Sequence, residues 1–163
     1  MIDPSAEKAL RAAKAYSSGF ENSLGGPALT LKEVEAISKY VLVDCRSDKE
    51  REISMVKGAV SKETFEVMDL DPAIAETHVA VYCTIGYRSG QYATSLAKKG
   101  WKGRVHNTHG IVPFSHEGVE LVNPRGEPTK MIHVYGSAWD MASSEYKTVV
   151  FGLWSQITTF LFG

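Results

Sequence analysis

Two short apolar runs constrain this chain most: Tyr40-Val41-Leu42-Val43 and Val79-Ala80-Val81-Tyr82, each giving way at once to a polar or glycine-bearing loop. A continuous, β-branched run with no polar alternation suits a strand covered on both faces. The first run opens into Asp44-Cys45-Arg46-Ser47-Asp48 and the second into Cys83 and a loop containing Gly86. From Ser89 to Lys99, Tyr92, Ala93, Leu96 and Ala97 share one helical face and Gly100 marks the stop. Arg104-Val105-His106 offers a further short strand. Strand, loop, helix, strand predicts an α/β domain with a mainly parallel sheet. Such sheets carry their functional loops at the carboxyl ends of the strands, so Asp44 and Cys83 are expected to lie close together.

Around this centre the pattern is less regular. Ala6, Leu10, Ala13, Tyr16 and Phe20 recur at helical spacing behind Asp3 as N-cap and Pro4 at the first helical position. Early acids and the lack of an apolar stretch argue against a secretion signal there. Residues 18–29 are rich in turn formers and read as a linker. Thr30 and Glu33 form a capping box for a helix from Leu31 to about Ser38. Val119–Val122 and Lys130–Tyr135 flank Asn123-Pro124-Arg125-Gly126, which predicts a β-hairpin. From about Met141 the chain reads as helical, ending in an uncharged apolar tail from Thr148 to Gly163.

The chemistry concentrates in Cys83-Thr84-Ile85-Gly86-Tyr87-Arg88-Ser89. Cysteine is a nucleophile only as thiolate, which needs positive potential around it. A loop leaving a strand and entering a helix supplies converging backbone N–H groups and the helix dipole. Gly86 lets the backbone curl, Arg88 adds a permanent forked charge suited to a sulfur oxyanion, and Ser89 can cap the helix behind.

This segment resembles the active loop of rhodanese-like sulfurtransferases. Two further stretches carry the resemblance. Val43-Asp44-Cys45-Arg46, with Glu50 and then Gly58-Ala59, is similar to the family's Asp-x-Arg signature. Asn107-Thr108-His109-Gly110-Ile111 is similar to the segment after the active helix, with His109 in place of a family glycine. The resemblance implies a rhodanese-like α/β fold with helices on both faces of the sheet. It divides the chain into an N-terminal helix and linker (1–29), a rhodanese-like domain (30–118) and a C-terminal hairpin and helix extension (119–163) packed on it. It also implies that Cys83 takes sulfur from a donor such as thiosulfate, becomes a persulfide, and passes the sulfur to a thiol, cyanide or a protein cysteine. Thr84, Ile85, Gly86, Tyr87, Arg88 and Ser89 would then bind substrate and Asp44 and Arg46 would support the loop, with no metal or organic cofactor needed. Cysteine phosphatases use a longer loop and normally place a histidine before the cysteine. Here four residues separate Cys83 from Arg88 and Tyr82 precedes, so sulfur fits better than phosphate. The alternative reading is a non-catalytic or sulfur-relay module that docks on a partner through the extension.

Bulk properties narrow the partners. A net charge of −1 gives no footprint for nucleic acid. Two cysteines in 163 residues suggest reduced thiols and a cytoplasmic address. Cys45 reads as a packing residue, with a resolving thiol as the sharper option. Arg46 is expected to pair with Glu50 or Asp48 and pin the turn. Ile85 and Tyr87 would make the substrate entrance less electropositive, weakening thiosulfate capture. The histidines do not form a metal set, because the His106-x-x-His109 spacing falls in a strand-to-loop context; His109 is the one expected near the pocket. For the apolar tail, packing on the domain competes with a homodimer interface or a membrane contact, and no basic cluster supports the last.

Overall fold

The computed structural model describes residues 2–69, 71–101, 103–134 and 136–150. Helix α1 (Pro4–Ser17) begins as its sequence demands: Asp3 accepts a 2.9 Å hydrogen bond from the Ser5 amide, and Pro4 fills the first turn. Its small residues Ala9, Ala13 and Ser17 are buried. The stretch expected to be a linker is largely helical instead, a 3₁₀ turn Ser18–Phe20 running into α2 (Glu21–Leu24) before Gly25. Packing overrides turn propensity there, because the Phe20 ring lies on Gly90, where a Cβ would come within 2.2 Å of it. The capping box of Thr30 and Glu33 starts α3, which is shorter than expected (Leu31–Glu35). Ser47 and Glu50 build a second box for α4 (Asp48–Ile53).

Strands β1 (Tyr40–Asp44), β2 (Met55–Val56), β3 (Val60–Ser61), β4 (His78–Tyr82) and β5 (Val105–Asn107) follow. Four of them form a parallel sheet in the order β3-β1-β4-β5, as the two apolar runs require. The register pairs Val43 with Val81 and Asp44 with Tyr82, so the loops after β1 and β4 leave the sheet side by side. Alternation along the strands divides the core. Val43, Cys45, Val79, Val81 and Cys83 face α5 (Lys62–Met68) and α6 (Tyr87–Leu96), packing with Phe65, Tyr92, Ala93, Leu96 and Trp101. Leu42, Ala80 and Tyr82 face the other way, toward α1, α3 and α7 (Ile111–Ser115). Each Val, Leu or Phe among them contributes about 1.5–3 kcal/mol through burial. The fold is therefore α/β with helices on both faces. Helix α6 starts at Tyr87, two residues before Ser89, and passes into a π-helical turn at Ala97–Trp101 with Gly100 at φ 109°.

The C-terminal part departs further from expectation. The turn after Val122 forms, with Asn123 Oδ1 accepting from the Arg125 and Glu127 amides, but it joins only β6 (Leu121–Val122) to β7 (Pro128–Thr129). β6 also pairs antiparallel with β2. The run expected as the second hairpin arm instead yields a separate strand, β8 (Met131–His133), parallel to β9 (Lys147–Val149). β9 occupies part of the predicted terminal helix; Thr148 and Val149 are β-branched, and pairing with β8 satisfies their preference for extended backbone. The rest of the apolar tail, 151–163, lies outside the described residues, as does Tyr135. No described helix is long and apolar enough to cross a membrane.

Candidate active site

At the end of β1, Asp44 and Arg46 are both fully buried and held to each other. The Arg46 guanidinium donates to Asp44 Oδ2 at 2.7 Å and to the Ser54 carbonyl at 2.6 Å. The Tyr82 hydroxyl donates to Asp44 Oδ2 at 2.6 Å and accepts from the Val56 amide at 3.0 Å. A buried charge needs such a partner set, and this one ties β1, β4 and β2 together. Burial first and the Asp44 charge second push the Tyr82 phenol well above its ordinary pKa, so it stays neutral as a donor. The expected pairing of Arg46 with Glu50 or Asp48 is thus corrected: Arg46 takes Asp44, and Asp48 takes Arg51.

Glu50 is freed for a different partner. Its α4 position turns the carboxylate inward, where it is fully buried and receives the Arg88 guanidinium through two 2.8 Å hydrogen bonds, Nη1 to Oε2 and Nη2 to Oε1. Glu50 also caps Ser47 at 2.8 Å, and His133 Nδ1 from β8 lies 3.4 Å from Oε1. Burial alone would raise the Glu50 pKa; the hydrogen bonds from Arg88 and His133 outweigh it and hold the carboxyl far below its usual range. Arg88 Nη2 donates to Thr84 Oγ1 at 3.2 Å. Arg88 therefore braces the loop against α4 while its charge stays beside Cys83 at the wall of the same cavity.

The loop itself is shaped by its carbonyls. The Ile111 amide donates to the Cys83 carbonyl at 2.9 Å, the Val112 amide to the Thr84 carbonyl at 3.2 Å, and Asn107 Nδ2 to the Gly86 carbonyl at 2.8 Å. With those oxygens anchored to the body of the domain, the Gly86 amide turns to Cys83 Sγ at 3.2 Å. Gly86 needs its left-handed backbone (φ 94°) to do so, and a Cβ there would sit 2.9 Å from the Thr108 carbonyl. Ser89 does not cap the helix; Gly86 holds that position, and Ser89 Oγ lies 3.3 Å from Cys83 Sγ. Burial would raise the Cys83 thiol, but hydrogen bonds from the Cys45 side chain and from Ser89, with the Arg88 charge, bring it well below the ordinary value. Cys45, one residue beyond β1, is itself pushed up by its bond to Cys83 and by burial; the two thiols are not disulfide-linked.

Cys83 opens into a cavity of about 210 Å³ lined also by Tyr16, Thr84, Ile85, Tyr87, Arg88 and Trp139. Tyr16 and Trp139 pack at a tilt, 56° between planes and 5.1 Å between ring centroids, and Tyr16 meets Tyr87 edge-on at 6.4 Å. The walls are thus largely apolar, and two of them come from α1 and from the turn Ser137–Trp139. His109 is not among them: it is buried beside Lys14 and Glu33 at a separate pocket. His78 Nδ1 lies 2.8 Å from His106 Nε2. Among the described residues, no group of three or more His, Cys, Asp or Glu is placed to hold a metal.

The structure thus brings Cys83 and its loop beside Asp44 and Arg46 at one end of the sheet. Sequence reasoning missed Glu50 as the partner of Arg88, the approach of His133, and the aromatic walls Tyr16 and Trp139. A second capping box at Ser47-x-x-Glu50 was the available signal that Glu50 is spatially fixed; the others depend on long-range packing.

The Rhodanese-like domain family matches residues 29–115. Among solved structures, the chain superposes on thiosulfate sulfurtransferase from Pseudomonas aeruginosa with a TM-score of 0.55 and 24% identity, covering 72% of this chain and 24% of that one. The chain therefore spans about a quarter of that protein's length, and the likeness concerns the fold. The protein hp1203 from Helicobacter pylori aligns at 20% identity with a TM-score of 0.47, covering 64% of this chain and 92% of that one. No curated protein matches the sequence at a significant level. With the family match extending over more than half of the chain and the parallel sheet in the order β3-β1-β4-β5, the chain belongs to the rhodanese-like domain family.

Proposed function

We propose that this chain is a sulfurtransferase that carries sulfane sulfur on Cys83. The observation behind this reading is a cysteine whose thiolate is favoured by the Gly86 amide, Ser89 and Cys45, facing a cavity large enough for a small donor. In the first half-reaction the Cys83 thiolate attacks the outer sulfur of thiosulfate. A Cys83–S–S bond forms, the bond to the sulfonate sulfur breaks, and its electron pair leaves with sulfite. A hydropersulfide donor reacts in the same way and leaves as its thiolate. In the second half-reaction a thiol, cyanide or a protein cysteine attacks the terminal sulfur and returns Cys83 as thiolate. The Gly86 amide and Ser89 favour Cys83 as a thiolate both before the attack and after the sulfur has been passed on. The supporting roles fall to Asp44 and Arg46, which hold β1 and β4 in register beneath the loop.

Incubation with thiosulfate, followed by intact-mass measurement, tests the reading. The expected result is sulfur bound through Cys83, seen as a gain of about 32 Da or as chemistry that follows from it, with all change lost in Cys83→Ser. Thiocyanate production from thiosulfate and cyanide should disappear in the same variant. A native chain that takes no sulfur from thiosulfate or from a hydropersulfide donor would refute the transferase and favour the binding-module reading.

A further inference from the structure

We propose that Cys45 resolves the Cys83 persulfide, converting the sulfurtransferase intermediate into an internal disulfide with release of sulfide. This rests on the transferase reading and goes beyond it, giving the site a second outcome when no acceptor is present.

The two cysteines are adjacent by construction of the sheet. β1 and β4 are parallel with Asp44 opposite Tyr82, and the ladder continues one step further through a 3.1 Å bond from the Cys45 amide to the Tyr82 carbonyl. Cys45 and Cys83 therefore stand abreast, and strand alternation sends both side chains to the same face, into the cluster formed with Tyr92 and Phe65. Neighbouring strands lie about 4.8 Å apart, within the Cα separation of about 4.4–6.8 Å that a disulfide spans. The two thiols act on each other, Cys45 being pushed up and Cys83 down by their proximity. Cys45 lies outside the lining of the cavity into which Cys83 opens, so the incoming thiol and the outgoing sulfur occupy different sides of Sγ.

The step balances without an external oxidant. Cys45 sulfur attacks Cys83 Sγ, the Cys83–Sγ bond to the outer sulfur breaks, and that sulfur leaves with the electron pair. The Cys45 proton goes to the departing atom, giving hydrosulfide. The sulfane sulfur is reduced to sulfide while the two cysteine sulfurs are oxidised to the disulfide. A dithiol reductant then returns both thiols. Pushed up by Cys83 and by burial, the Cys45 thiol is a poor nucleophile while Cys83 is a thiolate; transfer of sulfur moves that charge to the outer sulfur, away from Cys45.

The experiment uses the full chain, reduced and desalted, with thiosulfate and no acceptor. The native protein should release about one sulfide per chain and end about 2 Da lighter than its reduced form, with peptides containing Cys45 and Cys83 cross-linked. Dithiothreitol should restore the starting mass and permit a second round. Cys45→Ser, which keeps a hydrogen-bond donor beside Cys83, should retain the added sulfur of about 32 Da and release none as sulfide. If the native protein holds a stable persulfide with no cross-link, this proposal alone is overturned. If neither protein takes up sulfur, the transferase reading falls and this one with it. The native measurement does not depend on any variant folding, and Cys45→Ala provides a second one if Cys45→Ser does not fold.

Discussion

Replacing Glu50 with glutamine removes the charge from a fully buried carboxylate that meets Arg88 through both oxygens at 2.8 Å. Removing one partner of a buried ion pair costs about 3–5 kcal/mol, because the other charge stays behind without compensation. Two features move this case to the low end. The Arg88 side chain keeps 18% of its exposure, so water takes over part of the lost contact, and glutamine retains one acceptor for the Ser47 cap. A loss of about 3 kcal/mol is expected, which for a domain of this size lowers Tm by about 6–12 °C. Urea and thermal unfolding of Glu50→Gln, Arg88→Gln and the double variant measure it. The double variant should lose less than the sum of the singles, with a coupling energy of about 2–3 kcal/mol. The pH dependence has a definite sign. The Glu50 pKa is depressed on folding, so its contribution is complete above the ordinary carboxylate value of 4.5 and disappears as pH falls through the acidic range toward the folded value. The native protein and Glu50→Gln should therefore converge in stability at strongly acidic pH. A loss under about 1 kcal/mol at neutral pH, or strict additivity, would refute the argument that this pair braces the loop.

The remaining predictions concern the loop and its mouth. Because Cys83 is held well below the ordinary thiol value of 9.0, its alkylation by iodoacetamide should be nearly flat from about pH 7 to 9 and fall only at lower pH; a climb of about tenfold per unit across that interval contradicts a preformed thiolate. Ile85 lines the apolar cavity, so Ile85→Lys should raise kcat/KM for thiosulfate by about fivefold, equivalent to about 1 kcal/mol. An unchanged value removes the claim that the entrance lacks positive charge. Gly110 has φ +98°, and a Cβ there would lie 2.6 Å from the Thr84 carbonyl, so Gly110→Ala should cost at least about 2 kcal/mol on unfolding. Stability within about 0.5 kcal/mol of native would show that the loop has another way to seat itself.

The elements legible in advance are those whose signal is local. Tyr40–Val43 and Val79–Tyr82 announce doubly covered strands by their own composition, and Asp3-Pro4, Thr30 and Glu33 announce helix starts through hydrogen bonds that span only a few residues. The Cys83 loop belongs with them, since its turn, glycine and helix entry are contiguous. Elements whose partners lie far along the chain were misread: Ser18–Leu24 is helical because Phe20 finds Gly90, and Lys147–Val149 is a strand because β8 is there to pair with it. The aromatic walls belong to this second group, Tyr16 having been read only as part of a helix face.

Local chemistry in the chain was enough to determine a parallel α/β sheet and a cysteine poised at the end of one of its strands. The partner of each charge was decided only by folding. Arg46 had Asp44, Asp48 and Glu50 all within four residues, and ion pairing by itself does not rank them. Burial does: once β1 and β4 align, Asp44 meets Arg46 and Tyr82, α4 turns Glu50 inward to Arg88, and each carboxylate removed from water is met there by a fixed donor.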